Sequence, residues 1–472
     1  MQNEDPIWQL VDQRRDAYVG LADRIWGMPE IAYNEYKSCA EHTAMLEQEG
    51  FRVTTGLAGI PTAVMGEAGE DGPVIAILGE YDALPGLSQE AGLPEPKPLE
   101  GDGMGHGCGH NLLGSASLMA AAAVKDWLAA NGMKGRVRYY GCPAEEGGAA
   151  KAFMVREGCF SDVDIAISWH PAAFAGVNDA MSLANTRIDF SFVGRASHAA
   201  ASPHLGRSAL DAVELMNVGV NYMREHMPSD ARIHYAILDT GGVAPNVVQA
   251  TAKVRYAIRA RDLTELWPLI ERVKKVAEGA ALMTETTVTH KVISAVSNLL
   301  GNTPLEKAMY GALTRLGPPP FDDADRELAA KFQATLSEED IRSSYRRVGM
   351  KVKKNTPLCD EVVPLDAKGA PMMGSTDVGD VSWVVPTVQV RGATYAIGTP
   401  GHSWQLTAQS KSSIGHKGMI HVAKVMAATA TEALKNPAII AEAKADYQER
   451  TETNPYVCPL PTDVMPPIRK AS

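Results

Sequence analysis

Hydrophobic and polar residues follow two different patterns along this chain of 472 residues. In the first third, helical apolar spacing over residues 7–50 is followed by short apolar runs that end in Gly, Pro or polar residues. These runs predict buried strands at residues 62–65, 74–78, 137–140 and 165–168, with an Ala-rich helix over 112–130. Buried strands that alternate with helices predict an α/β fold, in which a mostly parallel sheet is flanked by helices.

The pattern changes near residue 185, where polar and apolar residues alternate as they do in a half-exposed strand. From there to residue 297 the order is strand, helix, two strands, helix and strand, which predicts a small ferredoxin-like α+β sandwich. We therefore predict a catalytic domain formed by residues 1–184 and 298–472, and an inserted lid and dimerisation domain at 185–297. An exposed sheet edge of the insert could pair with another subunit. Residues 317–368 are interpreted as an elaboration of the catalytic domain.

Composition and charge narrow the classes of partner. The formal net charge of −11 argues against nucleic acid, because phosphate binding needs clustered Lys and Arg. The sequence contains no run of about 18 apolar residues, so we expect no membrane span. The N-terminus carries early acids and lacks the apolar core of a secretory signal, which predicts a cytoplasmic location. Six irregularly spaced cysteines are then expected to be free thiols, so a thiolate is available as a metal ligand.

Four short motifs place chemically active side chains at the predicted ends of strands or in turns. These side chains are Cys108, His110, Glu145, Glu146, His170 and His402. Taken alone, each motif has an ordinary explanation: a Gly-rich turn, a pair of surface acids, or a histidine in the core or at the surface. Together they predict one site, because the carboxyl ends of parallel strands meet at the same edge of a sheet. Thiolate, imidazole and carboxylate groups are the ligands of divalent transition metals.

In this order the motifs resemble those of the co-catalytic metallopeptidases, the family that includes aminoacylases, glutamate carboxypeptidases and hippurate hydrolases. The Cys-Gly-His sequence is similar to the amidohydrolase branch, in which it stands in place of a bridging aspartate. The chain length and the sequence Gly-Ser-Thr-Asp-Val-Gly-Asp at 374–380 look like those of p-aminobenzoyl-glutamate hydrolases. The resemblance implies hydrolysis of the amide bond of an N-acyl or aminobenzoyl amino acid. The first substrate to test is p-aminobenzoyl-glutamate, which would give p-aminobenzoate and glutamate.

The resemblance also implies roles for single residues. Two divalent ions, manganese or zinc, would be held by Cys108 as the bridge together with His110, Glu146, His170 and His402. Glu145 would be the general base, which takes a proton from the attacking water and passes it to the departing amine. Asp82 would orient a metal ligand from behind. Glu80 stands where many relatives have a histidine.

Three residues of the insert match the family as well. His198 resembles a histidine that reaches the partner's active site and donates to the oxyanion. Asn246 and Arg259 resemble a pair that binds the substrate's backbone and α-carboxylate, a task that suits the planar guanidinium of Arg. Without the resemblance, His198 and Asn246 are interpreted as turn residues, and Arg259 could equally form a salt bridge on a strand face. These matches imply a homodimer through the insert, or a heterodimer with a paralogue.

Other functions stay open at the level of the sequence. The chain could be a dipeptidase or aminoacylase of different specificity, or a partner subunit that is active only in a hetero-oligomer. The complete set of ligands together with Glu145 argues against an inactive subunit. A thiol enzyme with Cys108 as nucleophile is a further alternative.

Overall fold

The computed structural model describes residues 5–99, 101, 103–177, 181–370 and 373–468, so both extreme ends of the predicted catalytic domain lie outside the described part. Its helices are α1 (Pro6–Asp12), α2 (Arg15–Trp26), α3 (Tyr36–Gln48), α4 (His110–Asn131), α5 (Ala150–Arg156), α6 (Ala209–Met223), α7 (Leu263–Thr284), α8 (Thr303–Leu316), α9 (Asp323–Gln333), α10 (Glu338–Arg347), α11 (Val378–Ser382), α12 (Trp404–Gln409), α13 (Ser413–Lys435) and α14 (Pro437–Thr451). Its strands are β1 (Arg52–Thr55), β2 (Val64–Glu70), β3 (Val74–Glu80), β4 (Gly135–Cys142), β5 (Ile165–Ala172), β6 (Gly176–Val177), β7 (Ala184–Val193), β8 (Arg232–Asp239), β9 (Thr251–Ala260), β10 (Thr287–Val296) and β11 (Thr387–Ala393).

Seven strands form the larger sheet, in the order β1-β2-β4-β3-β5-β11-β6. The central pairs of strands are parallel, whereas β1, β2 and β6 pair in antiparallel fashion toward the edges. Along β3, Ile75 and Ile77 pack into one hydrophobic cluster, and Ala76 and Leu78 pack into another on the opposite face. Both faces of the central strands are therefore covered, and the predicted α/β fold class is confirmed.

Helix α4 is the main covering element of this sheet. It is the one helix in the described part of the chain that is long and apolar enough to cross a membrane, but 83% of its apolar window is buried inside the protein. Its alanines and small residues let it pack closely on β3 and against α13. Since its first residue is His110, the packing of α4 also fixes one end of the predicted metal site.

Four strands form the smaller sheet, in the order β10-β7-β9-β8, and all of its pairs are antiparallel. The chain order strand, helix, two strands, helix, strand matches the predicted α+β sandwich. Phe190, Phe192 and Tyr256 point toward α6 and α7 in a separate core. The opposite face of the sheet carries polar residues, among them Asn185 and Arg187. That this layer acts as a lid and a dimer contact stays a prediction.

Residues 317–368, interpreted from the sequence as an elaboration of the catalytic domain, contain two helices, α9 and α10. Helix α9 ends at Gln333, and α10 begins after Ser337, whose hydroxyl accepts from the backbone of Asp340. The Asp340 side chain in turn accepts a hydrogen bond from the backbone of Ser337. This reciprocal cap was a local signal for a second helix start. Residues of α10 reach the active-site cavity described below.

Candidate active site

Five side chains from distant parts of the chain meet beyond the carboxyl ends of the central strands. The Sγ atom of Cys108 lies 3.3 Å from Nε2 of His170. Oε1 of Glu146 lies 3.3 Å from Nε2 of His402 and 3.9 Å from Nε2 of His110. The structure therefore brings together all five residues that the sequence analysis predicted as metal ligands.

These side chains form two overlapping groups of potential ligands. One group contains Cys108, His110 and His170, and the other contains Cys108, Glu146 and His402. Within each group, one ligand atom of every residue lies within 4.8 Å of the others. Cys108 belongs to both groups. This geometry suits two ions that share one thiolate.

The chemistry of these atoms fits divalent cations. Nε2 of His110 and Oε1 of Glu146 are buried, and neither has a hydrogen-bond partner among the described residues. Buried polar atoms are normally paired, so both atoms are suited to a bound cation. Burial, followed by the charge of Glu146, raises the pKa of the Cys108 thiol. A thiol in such surroundings is a poor free nucleophile but becomes a thiolate when it binds a metal.

Asp82 supports this arrangement from behind. One of its carboxylate oxygens lies 2.9 Å from Nδ1 of His110, and the other accepts a hydrogen bond of 2.8 Å from the backbone N–H of Glu146. A carboxylate at Nδ1 fixes the tautomer that leaves Nε2 free for a metal. Asp82 thus contacts two of the predicted ligand residues, His110 and Glu146, and its role in orienting them stays a prediction.

Glu145 and Glu146 lie in a tight loop between β4 and α5. Ala144 and Ala149, at the two ends of this loop, both have a left-handed backbone, with φ of 56° and 57°. The carboxylate of Glu35 accepts a hydrogen bond of 2.9 Å from the backbone N–H of Ala144. A second hydrogen bond stabilises the loop, because the hydroxyl of Tyr33 donates to the carbonyl of residue 148 over 2.6 Å. The strained backbone is therefore held from outside the loop, as is common where a side chain must be aimed at substrate.

The two adjacent carboxylates have opposite electrostatic surroundings. Burial, with the charges of Glu80 and Glu146, raises the pKa of Glu145 well above its ordinary value. Burial also disfavours the charge of Glu146, but its neighbours His402 and His110 outweigh that effect and lower its pKa. These surroundings favour the anionic form of Glu146 and the protonated form of Glu145. This difference suits one metal ligand and one acid–base group.

A buried lysine stands behind the site, and the sequence analysis did not identify it. Nζ of Lys151 donates hydrogen bonds of 2.6 Å to Glu80 and 2.6 Å to Asp377, and all three side chains are buried. The other oxygen of Glu80 lies 3.4 Å from Nε2 of His110. Glu80 also forms a third group of potential ligands with His110 and Glu145. No spacing in the sequence pointed to Lys151, because its role depends on the approach of Glu80 and Asp377 in the fold.

The site opens into a cavity of about 360 Å³. Apolar residues line part of it, including Phe174, Met181 and Leu299. Four arginines also line it, and they come from both sheets and from α10: Arg187, Arg259, Arg347 and Arg391. Of these, the sequence analysis identified only Arg259. A cavity of this size with apolar walls and a few charged groups is suited to a small organic anion.

His198 and Asn246 do not join the site of their own chain. Neither residue lines the cavity, and both Asn246 and His198 are exposed at the surface. They do lie near each other, because His198 pairs with Val247 and the backbone N–H of Ala199 donates to the carbonyl of Asn246. The sequence analysis placed His198 in a partner's active site, and its position at the surface leaves that possibility open.

Comparisons with known proteins agree with this geometry. Residues 76–432 match the family model described as Peptidase family M20/M25/M40. The chain is 47% identical over 470 residues to one of the p-aminobenzoyl-glutamate hydrolase subunits of Escherichia coli K12, and the match covers 98% of each chain. It is 27% identical to the mouse (Mus musculus) Xaa-Arg dipeptidase, with coverage of 93% and 91%. The solved structure of an aminobenzoyl-glutamate utilization protein from Klebsiella pneumoniae aligns with a TM-score of 0.60 at 17% identity, covering 89% of this chain and 98% of that one.

Proposed function

Because this chain belongs to peptidase family M20/M25/M40 and is a hydrolase of amide bonds, we propose that it cleaves p-aminobenzoyl-glutamate to p-aminobenzoate and glutamate. The observation that carries the proposal is the position of Glu145 beside two overlapping groups of metal ligands that share Cys108. The substrate follows from the relative in Escherichia coli, which is named for this hydrolysis. The aminobenzoyl ring would lie against the apolar part of the cavity.

Two divalent ions would be held by Cys108, His110, Glu146, His170 and His402. When bound, they polarise the scissile carbonyl and stabilise the negative charge that develops on its oxygen. Thiolate and imidazole ligands favour zinc, whereas the resemblance to the amidohydrolase branch favours manganese. We propose one of these two metals.

Glu145 performs the proton transfers. Its carboxylate accepts a proton from a water molecule as the water oxygen forms a bond to the carbonyl carbon. The C–N bond then breaks, and Glu145 gives the same proton to the departing amine nitrogen. The strained loop between β4 and α5 holds the carboxylate in place during both transfers. Lys151 compensates the buried charges of Glu80 and Asp377 behind it.

A dipeptidase is the second candidate, because the mouse Xaa-Arg dipeptidase is also a relative. That relative is named for substrates with a C-terminal arginine. Four arginines line the cavity of this chain. The three acids that also line it have other proposed tasks: Glu145 transfers protons, Glu146 binds metal and Asp377 pairs with Lys151. A cationic side chain in the substrate would meet like charges there. The charge of the cavity therefore favours an anionic substrate.

A second copy of this chain would complete the site. Strand β8 forms an open edge of the smaller sheet, and Tyr235, Ile237 and Leu238 are all more than 40% exposed along it. Such an edge is a template for pairing with another strand. A dimer through this edge would offer the surface residues His198 and Asn246 to the partner's cavity. Since the relative in Escherichia coli is named as one subunit of its hydrolase, a paralogue is the alternative partner.

The test is metal analysis of the purified chain together with a substrate panel. We expect two equivalents of manganese or zinc for each chain, and turnover of p-aminobenzoyl-glutamate above acylated neutral amino acids and above dipeptides that end in arginine. A chelator should abolish the activity, and added metal should restore it. Turnover that persists without metal would instead support Cys108 as a nucleophile. No turnover of the aminobenzoyl substrate by a metal-loaded chain would overturn the proposal.

A further inference from the structure

Arg187 is a charged residue of the cavity wall that the proposed reaction does not use. It lies on β7, on the face of the smaller sheet opposite the one that packs against α6 and α7. The side chain packs tightly on the loop between β4 and α5 that carries Glu145 and Glu146, called the catalytic loop below. A Cβ atom added to Gly147 in this loop would lie 1.7 Å from Nη1 of Arg187. It also lines the cavity together with Glu145 and Glu146. A guanidinium therefore borders the space in which the substrate must lie.

The guanidinium of Arg187 makes no hydrogen bond or ion pair with any residue that the structure describes. Its neighbours on the same sheet face differ in this respect. Arg255 lies 2.6 Å and Lys253 lies 2.9 Å from the carboxylate of Asp189. Burial, followed by the charge of Arg255, lowers the pKa of Arg187, and the charges of Glu146 and Glu145 oppose this effect only in part. A half-buried cation without a partner is unfavourable unless a ligand compensates its charge.

Arg259 lies on the adjacent strand β9, opposite Asn185. Burial and the charge of Arg187 lower its pKa, so the two guanidinium groups act on each other. Its Nη1 atom makes only long contacts of 3.4 Å, to the carbonyl of Met373 and the hydroxyl of Ser375. One wall of the cavity thus presents two guanidinium groups that form no ion pair with a carboxylate of the described residues. Two such groups match a ligand with two carboxylates better than a ligand with one.

We propose that Arg187 binds the side-chain carboxylate of an acidic amino acid whose α-carboxylate is bound by Arg259. This inference rests on the proposed function, and it makes Arg187 the residue that selects glutamate or aspartate on the amine side of the scissile bond. A neutral side chain would leave the half-buried guanidinium of Arg187 without a counter-charge in the complex with substrate. The aromatic acyl group would then add to the binding affinity, whereas Arg187 would determine the preference for an acidic side chain.

The test compares two substrates that differ only in this charge, p-aminobenzoyl-glutamate and p-aminobenzoyl-glutamine. We expect the wild-type protein to prefer the glutamate substrate. In Arg187→Met, kcat/KM for that substrate should fall about 10- to 100-fold, mainly through KM, because a charged hydrogen bond is lost. The same variant should change kcat/KM for the glutamine substrate less than about 3-fold. Arg187→Lys keeps the charge without the planar fork, and we expect intermediate selectivity from it.

Lys253→Met is the matched control, because it removes a cation from the same sheet face outside the cavity and leaves Asp189 paired with Arg255. It should leave the ratio of the two kcat/KM values unchanged. Thermal unfolding and metal content of each variant check that the fold and the metal centre persist. Equal losses on both substrates in Arg187→Met, or no loss on either, would overturn the inference while hydrolysis by the wild type upholds the proposed function. If the wild type cleaves neither substrate, the proposed function itself fails.

Discussion

At the scale of single residues, the neighbours of Glu145 and Glu146 give two chemically identical side chains opposite shifts in pKa. Glu146 faces the imidazoles of His402 and His110 and is held as an anion. Glu145 faces other carboxylates, which add to burial in raising its pKa. Cations bound nearby would oppose that rise, so the state of Glu145 is coupled to metal loading. Sequence adjacency therefore does not imply functional equivalence here.

Glu145→Gln should remove the acid–base group and leave the metal ligands intact. We expect kcat to fall by about 10²- to 10⁴-fold, the usual contribution of a positioned base, with little change in metal content. Steady-state kinetics and elemental analysis on the same preparation measure both quantities. If this variant hydrolysed the substrate at the normal rate, Glu145 would not be the base.

Asp82→Asn should weaken metal binding without removing a ligand. The amide no longer offers a charged partner to Nδ1 of His110, and loss of such a partner typically lowers metal affinity about 10- to 100-fold. Metal titration should show the weaker affinity, and excess metal should restore much of the activity. Asp23→Asn is the control, because it removes a carboxylate from a histidine pair, with His416, that lies outside the metal centre.

The residues that the sequence could predict differ in kind from those that it could not. Cys108, His110 and His402 belong to short motifs whose residue types are unusual as a set. Lys151 lies on a helix of ordinary composition, and its role depends on which face of α5 turns toward the acidic motif at 374–380. Arg187 becomes significant only through the approach of the smaller sheet to the catalytic loop. Local spacing carries no information about that approach.

At the scale of elements, the contact between α4 and β3 leaves no space for a larger residue at Gly114. A Cβ atom there would lie 2.6 Å from the carbonyl oxygen of Glu80 and 2.8 Å from the ring of His42. Glu80 also accepts a hydrogen bond from the buried Lys151 behind the active site. The packing of α4 on β3 at Gly114 therefore affects the position of a residue next to the active site. The glycine permits this approach of helix and strand.

Gly114→Ala should therefore destabilise the protein. Overpacking of a tight core contact typically costs about 1–3 kcal/mol in the free energy of unfolding, more than the gain in helix propensity returns. Gly311→Ala in α8 is the matched control, because a Cβ at that position meets no atom within 4 Å. That control should be neutral or stabilising by up to about 1 kcal/mol. Denaturant unfolding of both variants measures the difference, and equal effects would contradict the packing argument.

Element type was more predictable than element pairing. Apolar runs identified β3, β4 and β5, because fully buried strands are continuously apolar. The antiparallel pairing of β1 and β2 at the edge of the larger sheet was not evident, because pairing depends on which strands the fold brings together. The two-residue strand β6 has no periodicity at all and depends on its contact with β11.

At the scale of the whole molecule, the position of His198 leads to a test of subunit cooperation. If His198 acts in the partner's site, Glu145→Gln and His198→Ala should each be inactive alone. A mixed dimer of the two would contain one complete site, so random exchange in an equal mixture should recover about a quarter of the wild-type activity. Assays after mixing, with subunit mass measured in parallel, give the result.

Two outcomes would contradict this arrangement. No recovery in a mixture whose subunits have exchanged would mean that His198 does not act across the dimer. Retention of full activity by a monomeric Ile237→Lys variant would mean that the edge of β8 is not needed to complete the site. Leu282→Lys is the control for that variant, since Leu282 is an even more exposed apolar residue on α7, away from the β8 edge.

His402 is separated along the chain from the other four predicted metal ligands by the smaller sheet, by helices α8 to α11 and by strand β11. During synthesis, Cys108, His110, Glu146 and His170 leave the ribosome early, while His402 follows only after all of those intervening elements. A nascent chain therefore holds one group of donors complete and the other lacking its last imidazole until translation is almost finished. If these residues bind two ions as proposed, the ion of the second group can be loaded only after synthesis has passed His402.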